Sequence, residues 1–198
     1  MQVTHDGGRW SNAAEDPIEI VAPDPGWPKQ FAIESNAIKK VLRPLKPRIE
    51  HFGSTAIPSL PAKPIIDIVI ILENVSVWPQ LIAPLSSLGY VHWVDNPRGD
   101  RMFFVKGMPP LGRRRSHHVH VRIPSDAVAE LRFRDRLREH PADAARYAKI
   151  KYDLVERFKF DRDAYTEAKG GFIQQILVQA KADEAPGEDW WSRGDSNP

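Results

Sequence analysis

Residues 64–72 read PIIDIVIIL, an aliphatic run interrupted by one carboxylate, Asp67. Such a run of β-branched residues without polar alternation is the pattern of a strand covered on both faces. It is too short to cross a bilayer. A strand buried on both sides needs layers above and below it, and with the order of helices and strands along the chain this predicts a mixed α/β sheet with a helical layer. Asp67 then requires an explanation, because an ionised carboxylate is rarely buried without a partner. A cation is the simplest partner.

The remaining elements follow from periodicity and breakers. Ile18, Ile20 and Val21 suggest a short extended arm, and Asp24 is placed to cap a helix over 27–42 with Trp27, Phe31, Ile38 and Val41 on one face. A strand over 48–52 feeds a turn at Gly53, Ser54 and Thr55. A helix over 81–88 carries Pro84, which predicts a kink. A hairpin pairs 90–94 with 102–105 across Asn96, Pro97 and Gly99, and a basic loop leads to a strand over 116–123. Three helices close the chain, opened by Ser125 or Asp126, by Pro141 and by Asp161. The predicted fold class is α/β (α+β): one domain over 17–182, with polar, disordered tails at 1–16 and 183–198.

Composition narrows the chemistry. The chain of 198 residues has no cysteine, which removes disulfides, zinc thiolates and cysteine nucleophiles and fits a reducing cytoplasm. The first residues show no apolar leader. A net charge of +2 makes no global case for nucleic acid, although arginines cluster at Arg113, Arg114 and Arg115 and again at Arg132, Arg134, Arg136 and Arg138. Arg134 and Arg138, a turn apart with Asp135, read as ordinary surface pairs.

A turn starting at Gly53-Ser54 offers backbone N–H groups and a hydroxyl to a phosphate. An acid on the neighbouring strand can hold Mg²⁺ against the same phosphates. His51 and Lys63 can add positive charge. On the strand 116–123, His118 and His120 share a face and His117 points away. Imidazoles favour Zn, Mn or Fe over Mg, which gives a candidate ligand set of Asp67, His118 and His120, completed by His51 or Glu50. Alternatives stay open: the histidines as hydrogen-bond donors, Asp67 in a salt bridge with Lys63 or Arg115, and Arg113 to Arg115 as a solvated loop or an anion clamp.

The stretch HFGSTAIPSLPAKPIIDI, with DPGWPKQF upstream and RSHHVHV, FRDRLR and YTEAKGGFI downstream, resembles the GrpB-like family. The resemblance implies a nucleotidyltransferase-like fold, a mixed sheet packed by helices with a three-helix C-terminal layer. In that fold Gly-Ser precedes a strand bearing metal-binding acids, here Asp67; the phosphate-binding candidates read from the residues are Gly53, Ser54, Thr55, Lys63 and Arg115. Members of that superfamily usually carry a second strand acid two residues on; here that position is Val69. Tyr165 and Lys169 match the family's Y-x-x-x-K and read as docking the last helix. The first expectation is transfer of a nucleotidyl group from a nucleoside triphosphate, with a divalent metal (Mg or Mn, or Zn), to an unidentified acceptor. Asp67, His51 and Lys63 are then the catalytic candidates. A non-catalytic nucleotide- or phosphate-binding module and a His/Asp metal-dependent hydrolase are the alternatives.

Overall fold

The aliphatic run forms the strand β2, Ile66–Ile71, whose even positions face one way and odd positions the other. This computed structural model describes residues 17–94, 101–107 and 112–183. The elements are α1 (Trp27–Val41), β1 (Arg48–Phe52), β2, α2 (Ile82–Ser87), β3 (Tyr90–His92), β4 (Met102–Lys106), β5 (His117–Arg122), α3 (Pro124–Glu139), α4 (Pro141–Phe158), α5 (Arg162–Ala168) and α6 (Gly170–Ala182), with short 3₁₀ turns between. The predicted tail at 1–16, all of the predicted tail at 183–198 except Asp183, and the turn at Asn96, Pro97 and Gly99 lie outside the described residues.

The strands form one mixed sheet in the order β1-β2-β5-β4-β3, in which only β2 and β5 run parallel. Ile66, Ile68 and Ile70 join Val119 and Val121 against Trp27, Phe31 and Ile38 of α1 and Leu85 of α2. On the other face Val69 and Ile71 meet Ala127 and Leu131 of α3. Both faces of β2 are therefore covered, as the uninterrupted run requires. A further cluster joins Ile57 and Leu60 to Leu137, Tyr147, Phe172 and Ile176, and sets α4 and α6 over the segment that follows β1.

Four local expectations are corrected. Pro84 causes no kink, because α2 starts at Ile82 and the proline falls in its first turn, where an N–H has no helical acceptor. The predicted last helix is two, α5 and α6, broken at Lys169 just before Gly170 and Gly171. Neither Ser125 nor Asp126 caps α3, which opens on Pro124 after Ile123. Asp161 does cap α5, accepting from the Ala164 N–H at 2.9 Å. Asp24 instead shapes the turn before α1, accepting from the Gly26 N–H at 2.7 Å.

Candidate functional site

Strand register decides which side chains meet. On the face covered by α3, two rows cross the sheet: Phe52, Asp67, His118 and Val105, and below them Glu50, Val69, His120 and Phe103. Asp67 and His118 are thus direct neighbours, with Asp67 Oδ1 3.2 Å from His118 Nδ1. One ligand atom each from Asp67, His118 and His120 lies within 4.8 Å of the others. Burial lowers the His118 pKa, opposed by its hydrogen bond to Asp67, so the ring is a neutral imidazole near pH 7. Its Nε2 is buried with no hydrogen-bond partner among the described residues. One carboxylate, two imidazoles and an orphaned ring nitrogen fit a divalent transition metal.

Gly53 places the backbone against this acid. Its φ of 70° and ψ of −169° belong to a region that L side chains avoid, and a Cβ there would stand 2.5 Å from Asp67 Oδ2. The 3₁₀ turn Ser54–Ala56 follows, and the Ser54 side chain hydrogen-bonds the Tyr147 phenol of α4. Thr55 borders the cavity, but its hydroxyl donates to the Ile65 carbonyl at 3.2 Å and lies 3.0 Å from His51 Nε2.

Asp67 and the histidines open into a cavity of about 690 Å³ between the sheet and α4–α6. Lys151, Arg162 and Lys169 line it on the helical side, Lys63 lines it from the segment entering β2, and Arg101 and Arg115 line it near β4 and β5. Lys63 and Lys169 lie over the Tyr165 ring, 5.3 and 4.4 Å from its centre, and Lys151 lies 5.0 Å from that of Tyr147. Burial lowers the Lys63 pKa to about 7, with neighbouring Lys169 and Arg162 pushing the same way. Lys151 is lowered to about 7 by burial and then by Lys169. Between about pH 7 and the ordinary lysine value near 10.5, the unfolded chain holds protons that these folded lysines have released. Unfolding free energy must therefore rise with pH in that window. Urea midpoints of the ligand-free protein are expected to increase from pH 7 to about 9.5, and Lys151→Met is expected to reduce the slope.

Two expected site residues stand elsewhere. His51 alternates with Glu50 and Phe52 along β1, so it faces α1; it stacks on Phe31 at 4.7 Å and supports the Gly-Ser turn from beneath. Burial pushes its pKa down to about 3 despite the charge of Asp67. Glu50 is fully buried and accepts from Arg134 at 3.0 Å and Arg48 at 3.1 Å, and it is not part of the Asp67, His118 and His120 group. Arg134 is itself fully buried, not a surface residue, and also donates to Asp135 and the His51 carbonyl. Arg138 reaches the Ala56 carbonyl at 2.9 Å. Asp67 pairs with neither Lys63 nor Arg115 among the ion pairs of the described residues; its neighbour is His118. Arg115 lies over the Trp93 ring at 5.9 Å. Lys151 and Tyr147 were missed by sequence reasoning. Their signal was a second Y-x-x-x-K, Tyr147 to Lys151, matching Tyr165 to Lys169.

Comparison with known proteins identifies the family and the fold. A UPF0157 protein of Pseudomonas aeruginosa is 50% identical over 177 residues, covering 89% of this chain and 73% of the relative. The UPF0157 protein YqkA of Bacillus subtilis is 32% identical over 182 residues, and the match covers 91% of this chain but only 50% of YqkA. The crystal structure of the conserved protein GrpB from Enterococcus faecalis superposes with a TM-score of 0.72 at 32% identity, over 82% of this chain and 96% of that one. A more distant likeness, with a TM-score of 0.48 at 12% identity over 70% of this chain and 44% of that one, is to the Cid1 poly(U) polymerase bound to MgATP, too slight to carry an argument about function. Residues 17–179 match the family described as GrpB protein, and the chain belongs to that family.

Proposed function

We propose that the protein is a nucleotidyltransferase-type enzyme that binds a nucleoside triphosphate with a divalent metal and transfers the nucleotidyl group to an acceptor hydroxyl. The observation that carries this is the convergence of Asp67, His118 and His120 in a cavity that is also lined by Lys63, from the segment entering β2, and by Lys151, Arg162 and Lys169 of the helical layer. Asp67, His118 and His120 would hold the ion, which supplies charge neutralisation at the phosphate oxygens. Their donor set favours Mn or Zn over Mg. Gly53 and Ser54 border the phosphate position, and the lysines hold the phosphate chain; an anion there favours their charged forms. The acceptor oxygen bonds to the α-phosphorus, the bond to pyrophosphate breaks on the opposite side, and the hydroxyl proton leaves to water.

Val69 favours a second reading. It occupies the second-acid position and is wholly buried against α3, which leaves Asp67 as the only strand carboxylate of the three ligands. A nucleotide-binding module that has lost transfer chemistry fits that feature, and a hydrolase fits the two imidazoles. Calorimetric titration with Mn²⁺ and a non-hydrolysable triphosphate analogue, followed by product analysis with labelled nucleotides, separates the three. The enzyme reading expects metal and nucleotide each to tighten the other's binding, with Asp67→Asn removing that coupling and transfer product forming only in the parent protein. Coupled binding without product favours the module, free nucleoside phosphates favour the hydrolase, and uncoupled binding removes the shared metal–nucleotide site on which the enzyme reading rests.

A further inference from the structure

The sheet places different chemistry on the two sides of Asp67. Toward β1 lie Gly53 and Ser54, and Lys63 follows in the segment entering β2. In the other direction the register runs from His120 on β5 to Phe103 on β4, and Trp93 lies just beyond β3, its N–H bonded to the Phe103 carbonyl at 2.8 Å. Phe103 packs edge-on against both imidazoles, 5.1 Å from His118 and 4.7 Å from His120, and Trp93 leans on Phe103 at 5.7 Å. Two guanidinium groups attend this wall: Arg101 over Phe103 at 5.4 Å and Arg115 over Trp93 at 5.9 Å. All four side chains line the cavity.

In-line displacement puts the incoming oxygen opposite the leaving group. With pyrophosphate departing on the β1 and lysine side, the acceptor must enter from the β4 side. We propose that Trp93 and Phe103, with Arg101 and Arg115, form an acceptor subsite for a nucleotide unit, its base stacked on the aromatic wall and its phosphate met by the arginines. This assignment rests on the transferase reading for its direction. Rings with arginine beside them take bases without regard to sequence, which suits an acceptor recognised as a nucleotide and not as a particular base. Neighbouring strands are about 4.8 Å apart, so the wall stands roughly 10–15 Å from Asp67, within the reach of one nucleotide.

The test titrates the full chain, preloaded with Mn²⁺ and the triphosphate analogue, with AMP and separately with a short single-stranded RNA. Trp93→Ala is expected to weaken acceptor binding at least tenfold while leaving the analogue's affinity within twofold. Trp93→Phe is expected to stay within threefold of the parent, and Arg101→Gln to weaken AMP more than adenosine. Tighter binding of RNA than of AMP identifies a strand end as the source of the unit, and equal binding identifies the free nucleotide. The subsite is overturned if neither ligand binds, if Trp93→Ala leaves both unchanged, or if it weakens the analogue as much as the acceptor, which would put the donor base on this wall. Failure of the analogue to bind the parent protein is a different result and removes the transferase reading.

Discussion

Glu50→Ala is expected to destabilise the fold by about 1–3 kcal/mol, the cost of removing one partner from a buried charged donor that keeps its others. Side-chain exposure is 0% for Arg134 and 1% for Glu50, and they meet at 3.0 Å, joining α3 to β1. Removal of the carboxylate leaves the guanidinium buried with Asp135 and the His51 carbonyl among its partners. Urea unfolding monitored by circular dichroism measures the loss. A double variant, Glu50→Leu with Arg134→Leu, is expected to recover part of it, because an apolar pair carries no desolvation penalty. A loss below about 1 kcal/mol for Glu50→Ala would show that the pair behaves as an exposed one.

Gly53→Ala is the second large effect, and it acts on the site as well as on stability. Backbone of this kind costs an L residue about 1–3 kcal/mol. The added methyl also needs the space occupied by Asp67 Oδ2, 2.5 Å away. Relief requires the carboxylate to turn from His118 or the turn to move from β2. We expect Mn²⁺ affinity to fall at least tenfold and the urea midpoint to drop, while Ser54→Ala, with ordinary backbone, keeps metal affinity within about threefold. Retention of full metal affinity by Gly53→Ala would mean that Asp67 is not held by this contact.

The sheet was legible in the sequence because its signals are local. The β-branched run gives β2, and alternation on β5 separates His118 and His120 from His117. His51 was misplaced for a reason that lies outside its neighbourhood: only the packing of Phe31 on one face of β1 reveals that His51 turns from Asp67. Glu50 was taken for a ligand because its partner, Arg134, is 84 residues away in sequence. The same distance hid Arg134, whose helix neighbours Asp135 and Arg138 mimic a surface charge cluster. Lys151 was invisible because a lysine in a charged helix is normally solvated, and only the layer formed by α4–α6 encloses it.

The strand that enters the sheet last in sequence, β5, lies in its middle. Until it inserts, β1–β2 and β3–β4 are separate two-stranded ribbons, and such ribbons are marginal alone in water. Asp67 meets His118 only across that final closure, over a separation of 51 residues. Assembly of the sheet is thus a non-local step, slow relative to the formation of α3–α6. Nascent chains that stop before His117 have neither a finished sheet nor the Asp67–His118 contact, and expose two ribbon edges open to association with other chains.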